Sequence, residues 1–160
     1  TQGCTQLYRC TLADRSAFAV TKGRHQIDAI QVAPNGAAVY ALRATMERPP
    51  EVVRIDVANG NIVARTDVNG AAYAKLAMPT VEAEWFPATD GQKIHTWVVR
   101  PPGFDPAKKY PMLLFCQGGP QSMVGQGFSF RWNFHLMASK GYVVAAVFFA
   151  QFFHLWPFRA

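Results

Sequence analysis

The stretch of this sequence best suited to chemistry is Leu114-Phe115-Cys116-Gln117-Gly118-Gly119-Pro120. An apolar run with the pattern of a strand ends there, and two glycines follow at once. Without Cβ atoms, their backbone N–H groups come close to a bound group. Fixed N–H donors suit the stabilisation of a developing oxyanion. Gly118 and Gly119 are therefore a candidate substrate- and oxyanion-binding loop, with Gln117 at its start. The plainer reading of Gly-Gly-Pro is a tight turn, and the plainer reading of Gln117 is a surface residue. Neither Gly-x-Gly-x-x-Gly nor a Walker pattern occurs, which argues against a phosphate loop.

No nucleophile accompanies the loop. Gly127-Phe128-Ser129-Phe130-Arg131 departs from Gly-x-Ser-x-Gly at its last position. Ser129 and His135 fall close in sequence, but a helix over Arg131–Lys140 would put Ser129 at its start and His135 along it, which is no Ser–His pair. Asp90 falls in a turn, and Glu82 and Glu84 on a strand, so no carboxylate pair is set for acid–base work. Cys4, Cys10 and Cys116 make neither a Cys-x-x-Cys nor a disulfide framework, and His25, His95, His135 and His154 lie far apart. No catalytic residue, metal site or cofactor is assigned. Cys4 and Cys10 could face each other across a hairpin; two buried free thiols is the simpler expectation.

The 160 residues are 50% hydrophobic and 16% charged, which fits a folded chain with a core and not a disordered one. The net charge of +6 raises nucleic acid as a partner. However, Lys and Arg are scattered singly except for Lys108-Lys109, so no basic face is built and nucleic acid is not expected. Thr1 opens the chain with neither a basic n-region nor an apolar h-region. The uncharged stretch Tyr142–Phe158 is short for a membrane span and is broken by Gln151, His154 and Pro157, so a membrane is not expected either.

The elements around the loop follow from patterning. Strand-like runs at Gln6–Thr11, Ala17–Thr21, Ile27–Ala33, Ala37–Ala44, Glu51–Val57 and Ile62–Thr66 are separated by turn residues. Pro34-Asn35-Gly36 and Ala58-Asn59-Gly60-Asn61 supply the positive φ angles of tight antiparallel hairpins. These two hairpin units of similar form suggest repetition of the kind found in propeller blades. Val81–Pro87 and Gln92–Arg100 make another hairpin. Met112–Cys116 reads as a strand buried on both faces. In the helix over Arg131–Lys140, Trp132, Leu136 and Ser139 share one side and Gly141 ends it, and Tyr142–Val147 is a second apolar strand. Strand, helix and strand make a parallel βαβ unit.

Tyr110–Pro120 resembles the entry strand of the catalytic domain in the prolyl oligopeptidase family of serine peptidases. Thr89-Asp90-Gly91-Gln92-Lys93-Ile94, Arg100-Pro101-Pro102-Gly103-Phe104-Asp105 and Ala138-Ser139-Lys140-Gly141-Tyr142-Val143-Val144 fit the same pattern. The Gln-Gly-Gly-Pro-Gln form and Arg131-Trp132-Asn133-Phe134 are most similar to the family's bacterial dipeptidyl peptidase 5-like members. The resemblance is specific over Val81–Ala145 and weaker over residues 1–80.

It implies a mixed fold: the last blades of a β-propeller over residues 1–80, then the first part of an α/β-hydrolase domain over 81–147. Several relatives place Tyr or His at the position of Gln117, whose amide is also a donor. Whether Gln117 acts directly or only shapes the loop stays open. The family's Ser, Asp and His come later in the chain, so the resemblance implies a fragment of an exopeptidase that is inactive by itself. Its partners are peptide substrates, with a homodimer allowed for the full-length relative, in the periplasm or outside the cell, the cytoplasm not being excluded. A dipeptidyl peptidase is the reading the resemblance implies; an acylaminoacyl peptidase or an esterase on the same fold, and a non-catalytic propeller binding module, are the alternatives. Residues 148–160, rich in aromatics, depart from the family pattern and read either as an aberrant tail after a change of reading frame or as a native insertion.

Overall fold

The computed structural model describes residues 3–89, 91–117 and 123–147. Asp90, Gly118, Gly119 and the aromatic stretch 148–160 lie outside the described residues. The chain divides into two compact units, Thr1–Leu76 with Gly125–Phe130, and Ala77–Val124 with Arg131–Ala160.

The first unit opens with β1 (Tyr8–Thr11) and β2 (Ser16–Ala19), an antiparallel pair. The turn between them puts Arg15 at φ 58° and is held by Asp14, whose carboxylate accepts from the Ser16 N–H at 3.0 Å and hydroxyl at 2.7 Å. The side chains of this ribbon are mostly exposed, so Cys10 is exposed while Cys4 is buried. Two buried thiols were expected, and only one is found. Among the described residues no cysteine forms a disulfide.

Four antiparallel strands follow in sequence order: β3 (Gln26–Val32), β4 (Ala38–Thr45), β5 (Arg48–Asp56) and β6 (Ile62–Ala64). The turns use the expected chemistry. Gly36 and Gly60 have φ of 68° and 72°, and the side chains of Asn35 and Asp56 accept from nearby backbone N–H groups. Alternation sorts the sides of β5: Val53 and Ile55 are buried with Ile27, Val39 and Ala41, while Arg54 and Asp56 point away and pair at 3.8 Å. The two hairpins are not separate repeats. β4 pairs with β5 along most of its length, so they are halves of a single meander. A short helix, α1 (Gly70–Tyr73), has no counterpart in the sequence expectations. It is tethered by Glu51, which accepts from the Thr66 hydroxyl and from Asn69, and by Arg48, whose guanidinium lies 4.4 Å from the Tyr73 ring centre.

The second unit contains β7 (Thr80–Pro87), β8 (Lys93–Arg100), β9 (Met112–Cys116), α2 (Phe134–Ala138) and β10 (Val143–Val147). The sheet order is β7-β8-β10-β9, with β9 and β10 parallel and the other pairs antiparallel. The βαβ unit is therefore present. Glu82 and Glu84 are both tied to Arg100, the first at 2.6 Å, which accounts for their carboxylates as a cross-strand clamp.

Two expectations are corrected. The helix is shorter than Arg131–Lys140, because Asn133 caps it by accepting from the Leu136 N–H at 3.0 Å. It buries Phe134, His135 and Ala138, whereas Trp132, Leu136 and Ser139 are exposed. The proposed stripe is the outer one. Strand β9 is also not buried on both faces: among the described residues it is an edge strand, with Met112 62% and Leu114 56% exposed.

Candidate functional site

The site is built on the parallel pair. β9 and β10 run in register from Val143 beside Met112 to Val147 beside Cys116, so their carboxyl ends share one edge of the sheet. Loops that leave such an edge are where open α/β sheets bind ligands. Gln117 is the first residue beyond β9 and is exposed. Gly118 and Gly119 lie outside the described residues, so the structure locates one of the three predicted loop residues.

Rings hold the root of the loop. The chain leaves the sheet at Cys116 and re-enters the second unit at Arg131. Phe115, just before the exit, has its ring 4.8 Å from Phe134 and 5.6 Å from Trp132, measured between centroids. Phe134 is buried at the start of α2, while Trp132 is 47% exposed. Phe134 is buried and Phe115 half-buried, so the ring contacts tie the exit of the excursion to its return, and the off-parallel ring geometry adds about 1 kcal/mol per pair. Arg131 stands over the outer ring, its guanidinium carbon 5.4 Å from the Trp132 centroid. Arg131 and Trp132 were read only as a helix start. Their position between the loop's return and the capping Asn133 was the available signal.

Ser129 lies ahead of the capped helix and groups with the first unit, whereas His135 lies within α2 of the second. His135 is 7% exposed and neither ring nitrogen has a hydrogen-bond partner among the described residues. Burial disfavours the imidazolium and pushes its pKa down to about 4, so the ring is neutral at pH 7. His95 is packed edge-on between Trp85 and Trp97, at 5.0 and 4.9 Å, and burial lowers its pKa as well. His25, in the first unit, is lowered first by burial and then by the charge of Arg43. These histidines serve as core residues. Among the described residues, no group of three or more His, Cys, Asp or Glu side chains is placed to hold a metal, and no helix is long and apolar enough to cross a membrane.

No protein-family model matches the chain. It is 41% identical over 142 residues to dipeptidyl-peptidase 5 of Porphyromonas gingivalis, a match covering 89% of this chain and 20% of that protein. Dipeptidyl-peptidase 5 of Schizosaccharomyces pombe is 32% identical over 125 residues, covering 77% and 17%. Among solved structures, the acylaminoacyl peptidase of Pyrococcus horikoshii matches with a TM-score of 0.74 and 29% identity, over 91% of this chain and 22% of that one. Dipeptidyl peptidase 4 of P. gingivalis matches with a TM-score of 0.68 at 24% identity, over 92% and 21%, which speaks for the fold alone. The chain spans about one fifth of the length of the curated relatives it matches.

Proposed function

Because the chain belongs to the prolyl oligopeptidase family, matching a fifth of its relatives' length, we propose that it is part of a serine exopeptidase that removes short units from peptide N-termini. In this reading the antiparallel strands of residues 1–80 are the last blades of a β-propeller. Residues 81–147 begin an α/β-hydrolase domain. The backbone of Gln117–Gly119 supplies donors to the oxyanion, and Gln117 adds its side-chain amide or shapes the loop. The nucleophile, its His and the Asp that orients it come from the remainder of the protein. Serine attacks the scissile carbonyl while His takes its proton, and the tetrahedral oxyanion is held by the loop until the amine leaves. Peptides are its substrates, no metal or cofactor takes part, and the enzyme works in the periplasm or outside the cell, with a homodimer compatible with its family.

The observation that carries this reading is Gln117 directly beyond the parallel edge strand β9, in a chain 41% identical to a dipeptidyl peptidase. The test uses the parent protein and two chromogenic peptides, one with a free N-terminal dipeptide and one with an N-acylated residue. Turnover of the first, blocked by a serine-directed phosphonate, is expected. Turnover of the second alone would make it an acylaminoacyl peptidase, a reading that the 0.74 TM-score match favours. Hydrolysis of neither would refute the peptidase assignment. Residues 1–160 by themselves are expected to turn over neither, since they contain no Gly-x-Ser-x-Gly.

A further inference from the structure

From the pairing of Arg131 with Trp132 at the root of the loop, we propose that these two residues form a carboxylate-binding subsite, which selects substrates carrying a carboxylate near the scissile bond. The inference rests on the peptidase reading above and adds to it a specificity determinant. Phe115 lies two positions before Gln117 on β9, and its ring packs on both Trp132 and Phe134. Trp132 therefore stands at the sheet edge that carries the oxyanion loop. Its ring lies 5.6 Å from that of Phe115, centroid to centroid, and the residue is 47% exposed. Over it lies the Arg131 guanidinium, 5.4 Å from the centroid.

Arg131 is exposed and makes no ion pair among the described residues. This sets it apart from Arg100, which is clamped between Glu82 and Glu84, and from Arg54, which pairs with Asp56. A guanidinium held against an aromatic ring keeps its N–H fork free at the edge, in the planar geometry that binds a carboxylate through two parallel hydrogen bonds. Lysine would reproduce the charge but neither the fork nor the stacking. Trp132 acts through Arg131, so it is a positioning residue.

Two sources offer the same chemistry: the terminal carboxylate of a very short peptide, and an acidic side chain. The experiment measures kcat/KM of the parent enzyme on two matched pairs, a tripeptide acid against its amide, and longer peptides differing only by Glu or Gln next to the cleaved bond. The wild-type enzyme is expected to favour the carboxylate member of at least one pair by about tenfold, the worth of one charge-assisted contact. The pair that shows the preference identifies the source. Arg131→Leu should bring that ratio to about one, and Arg131→Lys should restore only part of it. Trp132→Leu should lower the ratio, and Trp132→Phe should rescue it. A wild-type enzyme with no preference in either pair, or a preference that survives Arg131→Leu, overturns the subsite while leaving the peptidase reading intact. A parent protein that cleaves no peptide at all overturns both.

Discussion

Strands β9 and β10 are both wholly apolar and lie side by side in register, yet their burial is opposite. Val144, Ala145 and Ala146 in the middle of β10 are buried, whereas Met112, Leu113, Leu114 and Cys116 of β9 are exposed. Composition does not separate them. Their place in the sheet does: β10 lies between β8 and β9 and carries α2 on it, while β9 is an edge. An apolar edge strand exposes unpaired backbone groups together with greasy side chains, the usual template for association. The antiparallel meander of the first unit differs again. Its core of Ile27, Val39, Ala41, Val53 and Ile55 comes from strands that follow one another along the chain, so local hairpins suffice to build it.

The contrast is open to attack at its strongest point first. Trp97 on β8 is 2% exposed and donates its indole N–H to the Val124 carbonyl at 3.1 Å. Trp97→Ala in the parent protein is expected to cost about 3–5 kcal/mol, the range for deleting a large buried ring. Chemical denaturation measures this, and a loss under about 1 kcal/mol would mean that β8 is not at the centre of the unit.

The next effect comes from His135, buried over the inner strands. Its folded pKa of about 4 lies below the ordinary histidine value, so the unfolded chain takes up a proton first as the solution is acidified. Its contribution to stability is complete above about pH 6.5, falls as pH drops toward about 4, and is constant below that. The loss amounts to at most about 3 kcal/mol. His135→Leu should flatten this part of the stability–pH curve in the parent protein, leaving the smaller contributions of His95 and His25. An unchanged slope would place His135 in contact with solvent.

The smallest effect is expected on the edge strand. In residues 1–160 expressed alone, Leu114→Lys should change stability by less than about 0.5 kcal/mol, because the side chain is exposed, while reducing light scattering on concentration. The same substitution in the parent protein, where the proposal has further sheet covering β9, should be strongly destabilising. Equal tolerance in both settings would show β9 to be a true outer edge.

Sequence reasoning succeeded where the chemistry is local. Asn35-Gly36 and Asn59-Gly60 encode their turns through positive φ; Gly141 is left-handed at φ 90°, but the helix before it stops at Ala138, capped by Ser139, and not at Lys140. The hairpin of Val81–Pro87 with Gln92–Arg100 is read from its turn residues, and β7 and β8 pair antiparallel. The strand–helix–strand order also emerged from pattern alone. What failed depends on tertiary surroundings. Trp132, Leu136 and Ser139 have helical spacing, but so do Phe134, His135 and Ala138, and only the sheet beneath decides which set is covered. An apolar run such as Met112–Cys116 reads the same at the centre of a sheet and at its edge. Helix α1 is too short to produce periodicity, and its tether, Glu51 to Thr66 and Asn69, links residues distant in sequence. In the candidate site, the glycines drew attention to the loop. The rings that fix its root, Phe115, Trp132 and Phe134, become a group only once β9 and α2 are packed.

The central claim is that the loop beginning at Gln117 faces the oxyanion of a serine peptidase. A structure of the parent enzyme inactivated by a serine-directed phosphonate tests it most directly, because the phosphonyl oxygen stands where the oxyanion forms. The account predicts that oxygen within about 2.7–3.1 Å of a backbone N–H of the Gln117–Gly119 stretch or of the Gln117 amide. An adduct whose oxygen is bonded only to donors elsewhere, with this loop turned away, would contradict it.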